Sequence, residues 1–362
     1  MPVSSSPSPA PIPTPPPSPK TFTPKPRSPA MAEPQPKPRE LPYVAAIAEG
    51  VRTVMQEQPD AFVAGEDVAE AGGVYGYYNG ILKEFGPDRV FDTPISEEGI
   101  VGLGVGAAAT GCRPIIDVMF MDFMGECMDE IANQLAKMRY MFGGRATLPV
   151  TILSMAGAGA SLAAQHSQSL EAWICHLPGL KVVMACTPYD AKGLIISAAR
   201  DDNPVIVVLN KMSLAMMGPV PEESYTVPIG EANVVRSGSN YTIISFGRMV
   251  HESLAAASEL EKLGIDAEVI DLRSLQPLDS DAVVNSVKKT HRAMIVHEAV
   301  RFGGFGGEIA AQIQELAFDY LDAPVARVGA PFSPVPFSPV LEATYVPNAD
   351  RIVAEAKSQL GL

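Results

Sequence analysis

Short apolar runs alternate with segments of helical periodicity along most of this 362-residue chain, and this alternation constrains the fold more than any other feature. In the first half, apolar runs predict strands at residues 61–64, 113–120, 149–155, 181–185 and 205–209. Apolar residues at helical spacing predict helices at residues 43–55, 126–140 and 189–199. Such an alternation indicates a mainly parallel, doubly wound sheet of the α/β class.

The alternation is interrupted between about residues 213 and 235, where Gly218, Pro219, Pro221 and Pro228 accumulate. A second block then begins with a strand at Tyr241, and it continues with predicted helices at residues 252–263 and 307–320 and strands at residues 267–272 and 293–297. We therefore predict two doubly wound α/β domains, residues 39–215 and 236–362, joined by a linker over residues 216–235.

The first 38 residues have a different composition, because they carry 15 of the 34 prolines together with Ser, Thr, Ala and few large apolar side chains. Such a segment buries too little apolar surface to offset its ordering entropy. We predict a disordered, partly polyproline II tail over residues 1–38. A transit peptide is the rival interpretation, but transit peptides are amphipathic and Arg-rich.

Charge and hydropathy exclude several classes of protein. The net charge of -14 and the pI near 4.8 argue against a nucleic-acid partner, which usually requires a basic patch. No run reaches the ~18 apolar residues of a membrane helix. Four cysteines without CxxC spacing indicate a reducing compartment, and we expect a cytoplasmic protein: Cys112, Cys127, Cys175 and Cys186.

The stretch of residues 89–106, RVFDTPISEEGIVGLGVG, places two adjacent carboxylates before a run of small and apolar residues. In one interpretation Ser96 caps a helix, and Glu97 and Glu98 complement its dipole by ~0.3–1 kcal/mol each. In the other, one glutamate is buried and hydrogen-bonds a ring nitrogen of a ligand, where a shared proton is useful. The local pattern does not choose between the two glutamates.

Three further segments are candidates for binding or catalysis. His166 lies in a loop rich in Gly and Ala, residues 156–168, where a ligand could approach the backbone closely. Residues 70–80, rich in Gly and Tyr, are either a binding loop or a surface turn with exposed tyrosines. Residues 303–307, GGFGG, could cradle an anion before a helix, but a tight turn is favoured because the GxGxxG spacing is absent.

Other kinds of site are disfavoured. The remaining histidines form no HxxxH or HExxH pair, which argues against a histidine metal site: His176, His251, His291 and His297. Ser167 lacks the GxSxG context of a serine hydrolase. The chain also contains no Gly-Asp-Gly run.

Seven motifs, taken together, resemble the β subunits of thiamine-diphosphate-dependent 2-oxoacid and acetoin dehydrogenases. They are FGPDRVFDTPISEEGIVGLGVGAA, AAQHSQSLEAW, PGLKVV, TPYDAKGLI, RDDNPVI, DLRSLQPLD and VHEAVRFGGFGGEIAAQI, and they follow the family order across about residues 41–360. The last motif, with VGAPFSPVPFSPVLE, is most similar to the acetoin enzymes, and pyruvate and branched-chain enzymes follow closely.

This resemblance implies a pyrimidine-binding domain followed by a transketolase-like C-terminal domain, and it implies roles for single residues. Glu97 matches the catalytic glutamate that bonds the aminopyrimidine ring. Phe123 matches the aromatic residue that packs on this ring, and His166 matches an active-site histidine that steers substrate or the lipoyl arm. Glu66 matches a glutamate of a buried acidic network near the cofactor. The resemblance also implies that main-chain carbonyls hold a structural potassium ion, those of Val150, Ala198, Asp201 and Asn203.

The resemblance gives a meaning to the missing Gly-Asp-Gly run. In this family the motif that binds the diphosphate and Mg²⁺ lies on a separate α subunit, so the chain is expected to be inactive alone. The implied assembly is an α2β2 heterotetramer that docks a dihydrolipoyl acyltransferase core. The implied reaction is the cleavage of acetoin, with a pyruvate or branched-chain 2-oxoacid dehydrogenase as the alternative. A non-catalytic scaffold subunit is the alternative from another class.

Overall fold

The structure is a computed structural model, and it describes residues 39–362. The predicted tail, residues 1–38, therefore lies outside the described residues. The first domain contains, in chain order, β1 (Glu40–Pro42), α1 (Tyr43–Glu57), β2 (Ala61–Gly65), α2 (Ile81–Phe85), β3 (Val90–Asp92), α3 (Glu97–Ala109), β4 (Arg113–Phe120), α4 (Met138–Met141), β5 (Thr151–Ala156), α5 (Glu171–Cys175), β6 (Lys181–Met184), α6 (Pro188–Arg200), β7 (Val205–Asn210) and β8 (Met217–Pro219).

The second domain continues with β9 (Asn233–Arg236), β10 (Tyr241–Ser245), α7 (Met249–Glu261), β11 (Ala267–Asp271), β12 (Ser274–Gln276), α8 (Ser280–Thr290), β13 (Ala293–Val300), α9 (Gly306–Ala317), β14 (Ala326–Ala330), α10 (Pro339–Tyr345) and α11 (Ala349–Leu360). Residues 216–235, the predicted linker, contain β8, which pairs with β1, and the first part of β9.

Each domain is built on one sheet. The first sheet has the order β12-β6-β7-β5-β4-β2-β3, and the second has the order β14-β13-β10-β11-β9. Within these two sheets, all pairs are parallel except those of β12 with β6 and of β9 with β11. The predicted α/β fold with two mainly parallel sheets is confirmed.

Alternate side chains of the central strands enter two apolar layers, because successive residues of a strand point to opposite faces. Ile115 packs in the layer of α1 and α6, whereas Ile116 packs in the layer that contains α3. The same alternation holds for the second sheet, where Ile243 and Ile244 face different helices. Helices on both faces are what parallel strands buried on both sides require.

The two domains share one core. The layer that contains Ile116 also contains Ile244 and Phe305 of the second domain. In addition, β12 leaves the second domain and pairs antiparallel with β6 of the first sheet, Ser274 opposite Val183. β12 was not predicted from the sequence, since three residues are too few to show a periodicity.

The predicted helix over residues 126–140 is only partly correct. A 3₁₀ turn covers Met121–Gly125, a π-helical stretch covers Glu130–Leu135, and α4 follows. The predicted apolar face is nevertheless present, because Ile131 and Leu135 are buried. Among residues 39–362, no helix has the length and hydropathy that would let it cross a lipid bilayer.

Candidate active site

Helix α3 begins at Glu97, next to the end of β3. Ser96 occupies the N-cap position, but its hydroxyl donates to the Pro94 carbonyl at 3.2 Å and caps no helix N–H group. The prediction that the Ser96 side chain caps the helix is therefore wrong. Both glutamates lie in the first turn, where the helix dipole favours negative charge; Glu97 is half-buried and Glu98 is exposed.

A cleft of about 1260 Å³ opens in front of this helix terminus. It is lined by three of the predicted site residues, Glu97, Phe123 and His166. The cleft is open to solvent, and Ile95 at its edge is 84% exposed. Five carboxylate residues line it, and among the described lining residues there is no lysine or arginine. An anionic ligand group could therefore bind here only with positive charge from elsewhere.

Glu66 follows the end of β2 and is half-buried. Its burial, together with the nearby Glu97 carboxylate, raises the pKa of Glu66. The Oε1 atom of Glu66 is buried without a hydrogen-bond partner in the described part of the chain. The structure thus brings Glu66 and Glu97 into electrostatic contact.

Phe123 and His166 belong to one aromatic group with Phe120. The ring centroids of Phe123 and His166 are 5.4 Å apart, and those of Phe120 and His166 are 5.2 Å apart, both edge to face. The Lys211 ammonium lies 5.0 Å from the Phe120 ring centroid and also donates to the His166 carbonyl oxygen. Burial lowers the pKa of Lys211 to about 8. These contacts restrain His166 at the cleft wall.

We call residues 157–168 the His166 loop. Its two ends meet, since the Gly157 N–H donates to the Gln168 carbonyl at 3.2 Å. Asp122 Oδ1 accepts from the N–H groups of Ser167 (3.2 Å) and Gln168 (3.1 Å) and from Gln168 Nε2 (2.9 Å). Asp122 was not among the site residues predicted from the sequence. The available signal was an acidic residue two positions after a buried strand and beside Phe123.

The loop of residues 70–80 is not a surface turn with exposed tyrosines. Tyr77 and Tyr78 are buried, and their hydroxyls donate to Asp117 Oδ2 at 2.6 and 2.8 Å. Burial raises the pKa of Asp117 to about 6, although the two tyrosine hydrogen bonds oppose this shift. The loop is thereby tied to β4.

The GGFGG segment forms the turn between β13 and α9, as favoured above. A Cβ atom at Gly304 or Gly306 would lie 2.7 or 2.6 Å from the ring of His297, so glycine permits a close approach of the backbone to this buried side chain. Burial lowers the pKa of His297 to about 4, so the ring is neutral at pH 7. The segment thus has a packing role.

The four residues of the predicted potassium site lie near one another around the start of β5 and the end of α6. Three of their carbonyl oxygens already accept hydrogen bonds: Val150 from Val205 N, Ala198 from Asp201 N, and Asp201 from Arg113 Nη1 at 3.3 Å. The Asp201 carboxylate is paired with Lys181. Arg113 and Lys181 therefore already place two positive charges beside these carbonyl groups, and both would repel a potassium ion. The site, including Asn203, stays a prediction.

Comparisons with known proteins agree with this architecture. Residues 39–216 match the family described as "Transketolase, pyrimidine binding domain", and residues 230–352 match "Transketolase, C-terminal domain". A solved structure described as "Split gene transketolase, inactive beta4 tetramer" superposes with a TM-score of 0.71 at 25% identity, over 88% of this chain and 98% of that one.

Three curated relatives are similar over nearly their whole length. The acetoin:2,6-dichlorophenolindophenol oxidoreductase subunits beta of Bacillus subtilis and Cupriavidus necator are each 47% identical, over 87% and 89% of this chain and 96% and 98% of theirs. The pyruvate dehydrogenase E1 component subunit beta of Bacillus subtilis is 45% identical, over 89% of this chain and 99% of its own. With its two transketolase domains, this chain belongs to the family of the acetoin and pyruvate dehydrogenase β subunits.

Proposed function

We propose that this chain is the β subunit of a thiamine-diphosphate-dependent dehydrogenase that cleaves acetoin and transfers the acyl unit to lipoamide. The observation that carries the proposal is the meeting of Glu97, Phe123 and His166 in one cleft. The names of the relatives support it, since two of them act on acetoin. A pyruvate or branched-chain 2-oxoacid dehydrogenase is the alternative, supported by the 45% identity to a pyruvate enzyme.

The residues present fit the aminopyrimidine half of thiamine diphosphate. Glu66 Oε1 and Asp122 Oδ2 are buried oxygens without a partner among residues 39–362, and Asp122 lies in the cleft wall with the ring of Phe123. A polar aromatic ring can satisfy such oxygens and pack on a phenylalanine face. A diphosphate does not fit this acidic lining. We infer that an α subunit supplies the positive charge and Mg²⁺ for it.

Each side chain has a distinct task in this proposal. Bound thiamine diphosphate supplies a ring carbon that attacks carbonyl groups and then accepts the electron pair released by C–C cleavage. Glu97 would hold a nitrogen of the aminopyrimidine ring through a shared proton, and burial together with the nearby Glu97 carboxylate raises the pKa of the neighbouring Glu66. Phe123 packs on the ring. His166, whose carbonyl is held by Lys211, orients the substrate oxygen.

The overall reaction balances without further reactants. Acetoin is split, acetaldehyde leaves, and the retained two-carbon unit is oxidised to an acetyl group; the S–S bond of lipoamide breaks, one sulfur takes the acetyl group as a thioester, and the other becomes a thiol. The proposed assembly is an α2β2 heterotetramer with an acyltransferase core, located in the cytoplasm. The description of the similar solved chain as an inactive β tetramer supports the need for a second type of subunit, and the four free cysteines are consistent with a reducing compartment.

The experiment is to co-express the chain with an α subunit and to compare acetoin, pyruvate and branched 2-oxoacids, with lipoamide or dichlorophenolindophenol as electron acceptor. We expect the highest kcat/KM with acetoin, and no turnover by the chain alone. A preference for a 2-oxoacid would overturn acetoin as the proposed substrate but would leave the family assignment unchanged. A complex that assembles but turns over none of these substrates would favour a non-catalytic scaffold.

A further inference from the structure

The second domain holds the first half of the His166 loop through two buried carboxylates. Glu298 on β13 accepts the N–H of Ala158 at 2.6 Å. Glu342 on α10 accepts the N–H groups of Gly159 at 2.7 Å and of Ser161 at 2.9 Å. Three N–H groups within four residues of this loop therefore donate across the domain boundary. We call Glu298 and Glu342 the carboxylate clamp.

The backbone held by the clamp is strained. Ser161 and Ala163 have φ angles of 54° and 58°, in the left-handed region that side chains with a Cβ atom rarely adopt. Such conformations persist only where surrounding contacts impose them. Glu342 makes those contacts at Ser161, where its Oε2 atom meets both the N–H group and, at 3.4 Å, the hydroxyl.

The hydrogen bonds of the carboxylate clamp are shielded from water. Glu342 is 2% exposed and Glu298 is 5% exposed, so water competes little for their hydrogen bonds. The positive charges that face them are Lys211 and Arg248. Lys211 belongs to the first domain and also donates to the His166 carbonyl, so it lies between the carboxylate clamp and the histidine. Asp122 holds the opposite end of the loop.

We propose that Glu342 is a positioning residue, through which the second domain holds the His166 loop in the conformation that presents His166 to the cleft. Glu342 does not line the cleft and touches no reacting atom. Its role is conformational: the carboxylate keeps Ser161 left-handed, and this fixes the path of the chain towards His166. The catalytic part of this inference rests on the function proposed above, whereas the effect on the loop does not.

The test is the substitution Glu342→Gln in the complex with the α subunit. Glutamine has nearly the same shape but offers one acceptor oxygen instead of two, so one of the two loop N–H groups loses its partner. We expect kcat to fall by about 10- to 100-fold, the cost typical of a slightly misplaced catalytic group, with KM for acetoin and the affinity for the α subunit unchanged. Amide hydrogen exchange of the peptide that contains His166 should become faster.

The matched control is Glu315→Gln, an exposed glutamate on α9 of the same domain, which should leave kcat and exchange as in the wild type. An unchanged exchange rate of the His166 peptide in Glu342→Gln would overturn the proposal. So would a loss of activity that comes entirely from lost assembly. If the wild-type complex cleaves neither acetoin nor a 2-oxoacid, the proposed function fails, and the exchange comparison still decides whether Glu342 holds the loop.

Discussion

Buried acidic side chains have two kinds of surroundings in the first domain. Glu97 lines the open cleft, and the half-buried Glu66 near it has one oxygen without a hydrogen-bond partner among the described residues. Asp117 is enclosed and accepts two tyrosine hydrogen bonds. The first arrangement leaves room for a ligand, whereas the second is complete without one. We therefore assign Asp117 to the stability of the loop of residues 70–80 and not to chemistry.

The pKa of Asp117 makes this assignment testable. Because the folded protein raises this pKa from 3.8 to about 6, the folded state binds the proton more tightly than the unfolded state does. The resulting stabilisation is present below about pH 4 and is lost as the pH rises through about 6. In the wild type, the ionisation of Asp117 should lower the free energy of unfolding by up to about 3 kcal/mol over this pH range. Asp117→Asn should lack this decrease, as measured by urea denaturation at several pH values.

Burial also raises the pKa values of Glu171 and Asp271, to about 7. Both residues are present in wild type and variant, so their contributions to the pH dependence cancel when the two proteins are compared. If the free energies of unfolding of wild type and Asp117→Asn change in parallel with pH, the burial of a protonated Asp117 is contradicted.

At the scale of elements, the periodic segments were predictable and the irregular ones were not. α1, α6 and β4 have the length and periodicity that hydrophobic burial imposes on a chain, so their patterns could be read directly. β12 and α10 are only three and seven residues long, and contacts with the other domain hold them in place. The choice of Glu97 over Glu98 required the resemblance, because neighbouring positions at a helix start have the same local pattern.

Helix α3 presents an unusual surface. Beyond the first turn, its exposed face carries Leu103, which is 40% exposed, with Gly106 and Ala109 and without charge. A Cβ atom at Gly106 would meet no other atom within 4 Å. This open face is adjacent to the cleft, and we expect the α subunit to cover it.

The substitution Gly106→Gln separates folding from assembly. Because glutamine favours the helix, the free energy of unfolding of the isolated chain should rise by ~0.5–1 kcal/mol. The added side chain should weaken the affinity for the α subunit by about 5- to 150-fold, since overpacking costs about 1–3 kcal/mol. Urea denaturation and sedimentation measure the two effects.

Ala255→Gln, at an exposed position of α7, is the control for the Gly106 substitution and should leave the affinity unchanged. Wild-type affinity of Gly106→Gln for the α subunit would show that the partner does not contact this face.

At the scale of the whole molecule, the second domain completes the first. It adds β12 to the first sheet, shares the core of Ile116, and holds the His166 loop through Glu298 and Glu342. The cleft itself remains acidic and open in the single chain. The proposed function requires this arrangement, in which the chain supplies one wall of the site and a two-domain scaffold supports it.

The most direct measurement is the turnover of the reconstituted complex that carries Glu97→Gln, compared with Glu98→Gln. In the proposed function Glu97 shares a proton with the cofactor ring, so Glu97→Gln should lower kcat by at least ~100-fold, the usual contribution of a positioned acid or base, while the affinity for the α subunit stays the same. Glu98→Gln, one residue further along and exposed, should retain most of its turnover. Wild-type turnover of Glu97→Gln would contradict the account, because Glu97 would then be only a charge at the start of a helix.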